Sequence, residues 1–167
     1  MEQILQLDGG HGLANLILAS LHIENEQYDL AEHALKRSNL RRPDPITYHD
    51  LAWLQEKDGR VDESMESIRK GRELGGQLFF FDDREAVLLM KKGALDEAQV
   101  LLLKVLSEQP GYVPAKLHLC ELLIIRKDWG EVKTLLEELE AQTDRLGRYE
   151  QGLIREMKKQ LEDKKNQ

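Results

Sequence analysis

The sequence predicts an all-α protein made of stacked helical hairpins. Three observations predict it: a repeat with a period of about 33 or 34 residues, small and leucine residues at the same positions of each repeat, and four prolines that all lie between helical segments. A period in this range is typical of arrays of two-helix units, in which no unit can bury its apolar face alone. Proline starts or ends helices, so its positions fit the same division.

The equivalent positions of the repeats agree in chemistry as well as in spacing. The returning helix of each repeat has a residue, small in three of the four, soon after the turn: Ala31, Ser64, Ala98 and Val132. The outgoing helix has a small residue that lets two helix backbones approach closely: Ala19, Ala52, Ala86 and Cys120. Leucine or isoleucine occupies two further positions of every repeat: Leu21, Leu54, Leu88 and Leu122, and Leu35, Ile68, Leu102 and Leu136. Four-fold agreement with one period is hard to obtain by chance.

Each repeat is expected to contain two amphipathic helices, because apolar residues recur at helical spacing in each segment. The predicted repeats are 12–44, 45–78, 79–112 and 113–143. The predicted helix pairs are 13–24 with 29–40, 45–57 with 61–74, 79–91 with 95–108, and 114–126 with 129–142.

The two ends of the chain differ from the repeats. Residues 1–10 resemble, in register, the tail of a preceding repeat, and a short N-terminal helix of its own is the alternative. Residues 144–163 predict a C-terminal capping helix, with Thr143 or Asp144 as its N-cap. Its predicted apolar stripe is Leu146, Tyr149, Leu153, Met157 and Leu161.

Composition excludes several classes of function. The net charge of −7 argues against a nucleic-acid surface, because such surfaces need clustered lysine and arginine. No apolar run approaches the ~20 residues that span a bilayer, so membrane insertion is not expected. The N-terminal residues lack the pattern of a signal peptide, and the single cysteine suits a reducing compartment. These features favour the cytoplasm, and a periplasmic location stays open if the chain is part of a longer exported protein.

No catalytic, cofactor or metal site is predicted. The five histidines contain no pair at the i, i+4 spacing of a helical metal site, and no glycine-rich phosphate loop is present. Cys120 replaces a small core residue and is interpreted as a buried, inert thiol. The paired carboxylates Asp82 and Asp83 are interpreted as a solvated helix face.

The pattern resembles the tetratricopeptide repeat (TPR) family. Leu18-Ala19, Leu51-Ala52 and Leu119-Cys120 resemble the Leu-Gly pair of that family, and Pro43 and Pro110 match its terminal proline. The resemblance implies a right-handed α-solenoid of about four TPR-like hairpins with a C-terminal capping helix. The chain departs from the family pattern at Gly76, in place of the proline, and at Glu85, in place of a core leucine.

The resemblance also implies a concave groove, lined by the outgoing helices, that binds a peptide or a helix. Carried over by position, the partner-binding residues are Leu16, Ser20, His49, Trp53, Lys57, Phe80, Asp83, Val87, Lys91, Leu117 and Glu121. One branch of the family holds a C-terminal carboxylate with lysine and asparagine, but this chain has Leu16, Ser20 and Asp50 there, so that ligand is not expected. Ordinary packing between repeats is the alternative role for Trp53 and Phe80.

The apolar run Phe79-Phe80-Phe81 leads to a further expectation, because three successive rings cannot all face the core of one helix. At least one ring should be exposed or should contact a partner.

Three functions follow from these predictions, and none of them is enzymatic. The first is a non-catalytic scaffold that binds a peptide or amphipathic helix of another protein. The second is a structural subunit that assembles with copies of itself. The third is an accessory TPR module of a larger enzyme or of a secretion or assembly machine.

Overall fold

A computed structural model describes residues 12–41, 43–76, 78–142 and 146–165, and in these ranges it contains helices and no strand. The helices are α1 (Gly12–Glu24), α2 (Tyr28–Arg41), α3 (Pro45–Lys57), α4 (Val61–Gly75), α5 (Phe79–Lys91), α6 (Leu95–Glu108), α7 (Val113–Arg126), α8 (Trp129–Glu140) and α9 (Arg148–Lys165). The all-α class is confirmed, and the first eight helices begin and end within two residues of their predicted bounds. The predictions for residues 1–10 and for the cap at Thr143 or Asp144 lie outside the described residues.

The chain divides into two compact units, Met1–Leu88 and Leu89–Gln167. In the first unit, α1 packs on α2, α2 on α3, and α3 on α4. In the second unit, α6 packs on α7, α7 on α8, and α9 on both α7 and α8. The predicted repeat boundaries within a single domain stay a prediction.

The four hairpin turns share one backbone conformation. One of the two residues after each outgoing helix has a positive φ: Glu26 (57°), Gly59 (74°), Gly93 (79°) and Lys127 (63°). The next residue donates its backbone N–H to the carbonyl five residues earlier, as from Arg60 to Gln55 at 2.8 Å and from Asp128 to Leu123 at 2.9 Å. This is the Schellman arrangement, which satisfies the last carbonyls of a helix. Glycine adopts this conformation without strain at Gly59 and Gly93, whereas Glu26 and Lys127 adopt it at some cost.

The small positions of the repeat are buried, as the sequence predicts. Ala31, Ala52, Ala86, Ala98, Cys120 and Val132 are fully buried. Ser64 takes the place of alanine in its repeat, and its hydroxyl donates to the Ala52 carbonyl at 2.7 Å. This bond offsets the cost of burying a hydroxyl, since an unpaired polar group is expensive in a core. Among the repeated leucines, Leu21 is the exception, with 39% of its surface exposed.

Gly71 of α4 makes room for one of the three phenylalanines. A Cβ atom at Gly71 would lie 2.2 Å from Phe81 Cζ and 3.1 Å from Tyr48 Cβ, so no larger side chain fits without movement. Phe81 is fully buried against this glycine, and Phe79 and Phe80 are half-buried. The three rings therefore divide between the core and the surface, because successive residues of a helix point in different directions.

Ion pairs hold acidic residues of α5, among them Glu85, which occupies a position where a core leucine was expected. Arg72 of α4 contacts Asp82 and Glu85 of α5, each at 2.6 Å. Glu85 thus replaces the core leucine of the family with a charge that binds the neighbouring helix. The interpretation of Asp82 and Asp83 as a solvated face is wrong: their exposed fractions are 4% and 1%. A buried carboxylate needs a partner, and Arg72 supplies it for Asp82.

The capping helix α9 buries a different stripe from the predicted one. Ile154, Met157 and Leu161 are buried, whereas Tyr149 is 70% exposed. The buried residues follow the helical spacing of three and four, so the stripe begins at Ile154 and excludes Tyr149. The prediction is correct for Met157 and Leu161 and wrong for Tyr149.

Candidate functional site

An aromatic pair and a lysine form a cluster at the end of α3 in the first unit. The rings of Trp53 and Tyr28 meet edge to face, with their centroids 5.8 Å apart. The Nζ atom of Lys57 lies 5.1 Å from the Trp53 ring centroid and 5.7 Å from that of Tyr28. A cation at these distances is attracted to both rings. The cluster therefore combines a half-buried apolar surface with an exposed positive charge.

A second aromatic cluster lies where α3 meets α5. The ring of His49 packs edge to face on Phe80, with centroids 5.0 Å apart, and Phe80 in turn contacts Phe79 at 5.7 Å. Phe80 also lies 4.8 Å from the buried Phe81, which connects the cluster to the core. The Nε2 atom of His49 is buried and has no hydrogen-bond partner among the described residues. Such an atom costs free energy unless a further group pairs with it.

A buried ion pair fixes the helices that carry these clusters. Arg84 of α5 contacts Glu56 of α3 at 2.9 Å, and both side chains are about one-tenth exposed. Glu56 lies one residue before Lys57, and Arg84 lies four residues after Phe80. The pair therefore holds the two aromatic clusters on helices whose relative position is fixed within the first unit.

The structure divides the predicted groove residues into two sets. Ser20, Lys57 and Lys91 are exposed, and Leu16, His49, Trp53, Phe80 and Glu121 are half-buried. In contrast, Asp83, Val87 and Leu117 have exposed fractions of 1%, 9% and 4%. These three side chains have little accessible surface for a partner to contact. The family resemblance predicted that they line an open groove, but neighbouring side chains cover them.

Tyr28 is a surface residue that the sequence analysis missed. It begins α2, and its ring contacts both Trp53 and Lys57. A signal was present, since Trp129 begins α8 at the equivalent position of the fourth repeat. Large residues at the start of the returning helix can reach the end of the outgoing helix, which the turn brings close.

The described residues contain no candidate metal site and no reactive thiol. No group of three or more histidine, cysteine or acidic side chains in these ranges could hold a metal ion. Burial, and to a smaller extent the charge of Glu121, raises the pKa of the Cys120 thiol to about 12. The thiol is therefore protonated at neutral pH and is a poor nucleophile. No helix in the described part of the chain is long and apolar enough to cross a membrane.

Comparison with known proteins supports the same fold class. Residues 89–152 match the family model of the tetratricopeptide repeat. No curated protein matches the sequence significantly. The family match and the fold of similar structures agree with the repeat positions described above.

Three solved structures illustrate the likeness. PilW, a widely conserved type IV pilus biogenesis factor, is 20% identical, with a TM-score of 0.75 over 96% of this chain and 74% of its own. A thermophilic TPR protein of Thermus thermophilus is 18% identical, with a TM-score of 0.76 over 88% of this chain and 81% of its own. YrrB, a TPR protein with an unusual peptide-binding site, is 18% identical, with a TM-score of 0.64 over 95% and 79%. Identities this low establish the fold alone.

Proposed function

We propose that the protein is a non-catalytic scaffold that binds a peptide or amphipathic helix of another protein. The observation that supports this function most directly is the pair of aromatic clusters on α3 and α5. Proteins with this repeat typically bind other proteins, and YrrB is one whose peptide-binding site is recorded. Half-buried aromatic side chains on rigid helices are the usual anchors of such interfaces.

In this proposal the partner contacts Trp53, His49 and Phe80, and Lys57 attracts an acidic residue beside the anchor. Phe80 and Trp53 supply apolar area, and the exposed Lys57 supplies the charge. The half-buried Leu16 and the exposed Ser20 belong to this proposed surface by their register in the repeat, and Lys91 and Glu121 hold the corresponding positions of the second unit. Asp83, Val87 and Leu117 are buried, so they have little area to contribute to binding.

The proposal is tested by capture of a binding protein from the native cell, followed by titration against variants. Replacing Trp53 by alanine should weaken binding by about 2 kcal/mol, roughly 30-fold, because a central aromatic anchor is lost. Lys57→Glu should slow association with an acidic partner, and the effect should shrink at high salt. Lys133→Glu, an equal charge change on α8, is the control and should bind normally.

Circular dichroism distinguishes a lost contact from a lost fold. Trp53 packs against the core of the first unit, so its removal also costs some stability. If Trp53→Ala unfolds the protein, Trp53 is a core residue and the packing role is the correct one. If the variant folds and binds with unchanged affinity, the proposed surface is not the binding site.

Self-assembly is the second candidate function, and an apolar stripe on α1 favours it. Leu13, Ile17 and Leu21 lie one helical turn apart, and their exposed fractions are 64%, 41% and 39%. Residues at this spacing form one face of a helix. An exposed apolar face usually marks an interface, and a second copy of the chain could cover it.

A further inference from the structure

An apolar pocket of about 300 Å³ opens within the second unit, beside the capping helix. Three helices supply its apolar lining: Met90 of α5, Ile124 and Ile125 of α7, and Leu153 and Met157 of α9. Ligand pockets commonly have volumes of about 300–1,000 Å³. This pocket is at the lower end of that range, so it suits an inserted side chain better than a large molecule.

The charged groups at the pocket are acidic. Glu121 of α7 and Glu156 of α9 line it, and among the described lining residues there is no lysine or arginine. Glu156 is exposed, and Glu121 is half-buried. Carboxylates beside an apolar cavity favour a ligand whose apolar group is accompanied by a positive charge.

The shape of the pocket depends on flexible side chains. Methionine has three rotatable bonds and a polarisable sulfur, so it adapts to differently branched aliphatic groups. Met90 and Met157 come from different helices, α5 and α9. The capping helix therefore contributes two of the five apolar side chains that line the pocket and one of the two carboxylates.

We propose that this pocket receives an aliphatic side chain of a partner segment that carries lysine or arginine within one helical turn of that side chain. The inference rests on the proposed interaction function and adds the chemistry of the segment that contacts the second unit. The aliphatic group provides the buried area, and the cation pairs with the exposed Glu156. A partner with acidic residues at the same places is rejected by like charge.

The test uses synthetic helical peptides of about 16 residues, long enough for partial helix formation. The probe has an alanine and glutamine background, one leucine, and lysines four positions before and after it. One control peptide has glutamates in place of the lysines, and a second has alanine in place of the leucine. Binding is followed by NMR of protein labelled with ¹³C in the methionine methyl groups.

The methionines make the readout specific for the pocket. Met90 and Met157 line it, whereas Met65 lies in the first unit and serves as the internal reference. We expect the lysine peptide to shift the Met90 and Met157 signals and leave the Met65 signal unchanged. Glu156→Lys should weaken this binding about fivefold or more, since it reverses a charge beside the ligand. Asp163→Lys, the same charge change further along α9, should not weaken it.

Several results would overturn the inference. These are the absence of any shift at Met90 and Met157, equal binding of the glutamate peptide, or equal binding of the peptide without leucine. Shifts of these two signals with protein concentration alone would assign the pocket to a second copy of the chain instead. If a captured partner depends on Trp53 and yet ignores the pocket, the scaffold function survives and only this inference fails.

Discussion

At the scale of single residues, small side chains decide which large ones enter the core. Gly71 leaves the space that Phe81 fills. Ala52 lies against Ser64, whose hydroxyl donates a hydrogen bond to the Ala52 carbonyl. The positions of Ala52 and Ser64 hold alanine, cysteine or valine in the other repeats and are equally buried. The size of the residue at each of these positions therefore sets how closely the two helices of each repeat approach each other.

Replacing Gly71 by alanine should lower the free energy of unfolding by about 1–3 kcal/mol, because the added methyl group overlaps the buried Phe81 ring. Chemical denaturation measures this change. Gly152→Ala is the matched control: it lies in α9 with no atom within 4 Å of the added Cβ. The control should gain up to about 1 kcal/mol from helix propensity. If the Gly71 variant is as stable as the parent, the tight contact does not govern packing here.

At the scale of helices, ion pairs connect returning helices of successive hairpins. Arg60, just before α4, contacts Glu32 of α2 through both of its terminal nitrogens, at 3.0 and 2.6 Å. The hydrogen bonds from Arg60 lower the pKa of the Glu32 carboxyl to about 2, against desolvation, which raises it. Bidentate pairs of this kind fix geometry as well as supply energy.

The pair should make the stability depend on pH in a defined range. Because the pKa of Glu32 is lower in the folded protein than its ordinary value of 4.5, folding favours the ionised form. The stabilisation is complete above pH 4.5 and is lost as the pH falls towards 2. At neutral pH, Glu32→Gln should lose on the order of 1–2 kcal/mol, a value reduced for the partly solvated arginine.

Denaturation of the parent and of Glu32→Gln at several pH values checks this expectation. The difference between the two proteins should narrow below pH 4.5 and vanish near pH 2. Glu66→Gln is the control, since Glu66 pairs with Arg69 on the exposed face of one helix and its effect should disappear with added salt. If the difference in free energy of unfolding between the two proteins stays constant across the acidic range, the ion pair of Glu32 with Arg60 does not stabilise the fold.

At the scale of the whole molecule, the remaining question is whether the chain acts alone or with copies of itself. The exposed stripe on α1 favours association, and the net charge of −7 opposes it through repulsion at low salt. If the stripe is a homotypic interface, added salt should strengthen it, because salt screens the repulsion and leaves apolar burial in place.

Sedimentation at several protein concentrations tests this competing function. Under the self-assembly proposal we expect a dimer. The Ile17→Glu substitution should raise its dissociation constant at least tenfold, because a charge would be buried in the interface. Ser20→Glu places the same charge on an exposed position of the same helix and is the control. A monomer at all concentrations, or a dimer unaffected by Ile17→Glu, would remove this stripe as the basis of assembly.

The sequence by itself determined the helices, the turns and the buried small positions. A period of about 33 or 34 residues and apolar residues at helical spacing are local properties, so they predict which face of each helix is buried. They also identified Trp53, His49 and Phe80 as candidate contacts, although their binding role stays a prediction.

Only the tertiary structure decided which residues lie next to one another. Arg72 approaches Glu85, Phe81 fills the space at Gly71, and Lys57 lies over Tyr28, none of which follows from the repeat. The repeat positions also predicted exposure for Asp83, Val87 and Leu117, which are buried, and missed the pocket that joins Met90 to α9. The physical reason is that periodicity fixes the direction of a side chain on its own helix. The neighbour that covers it is set by how side chains from several helices, distant in sequence, fill one common space.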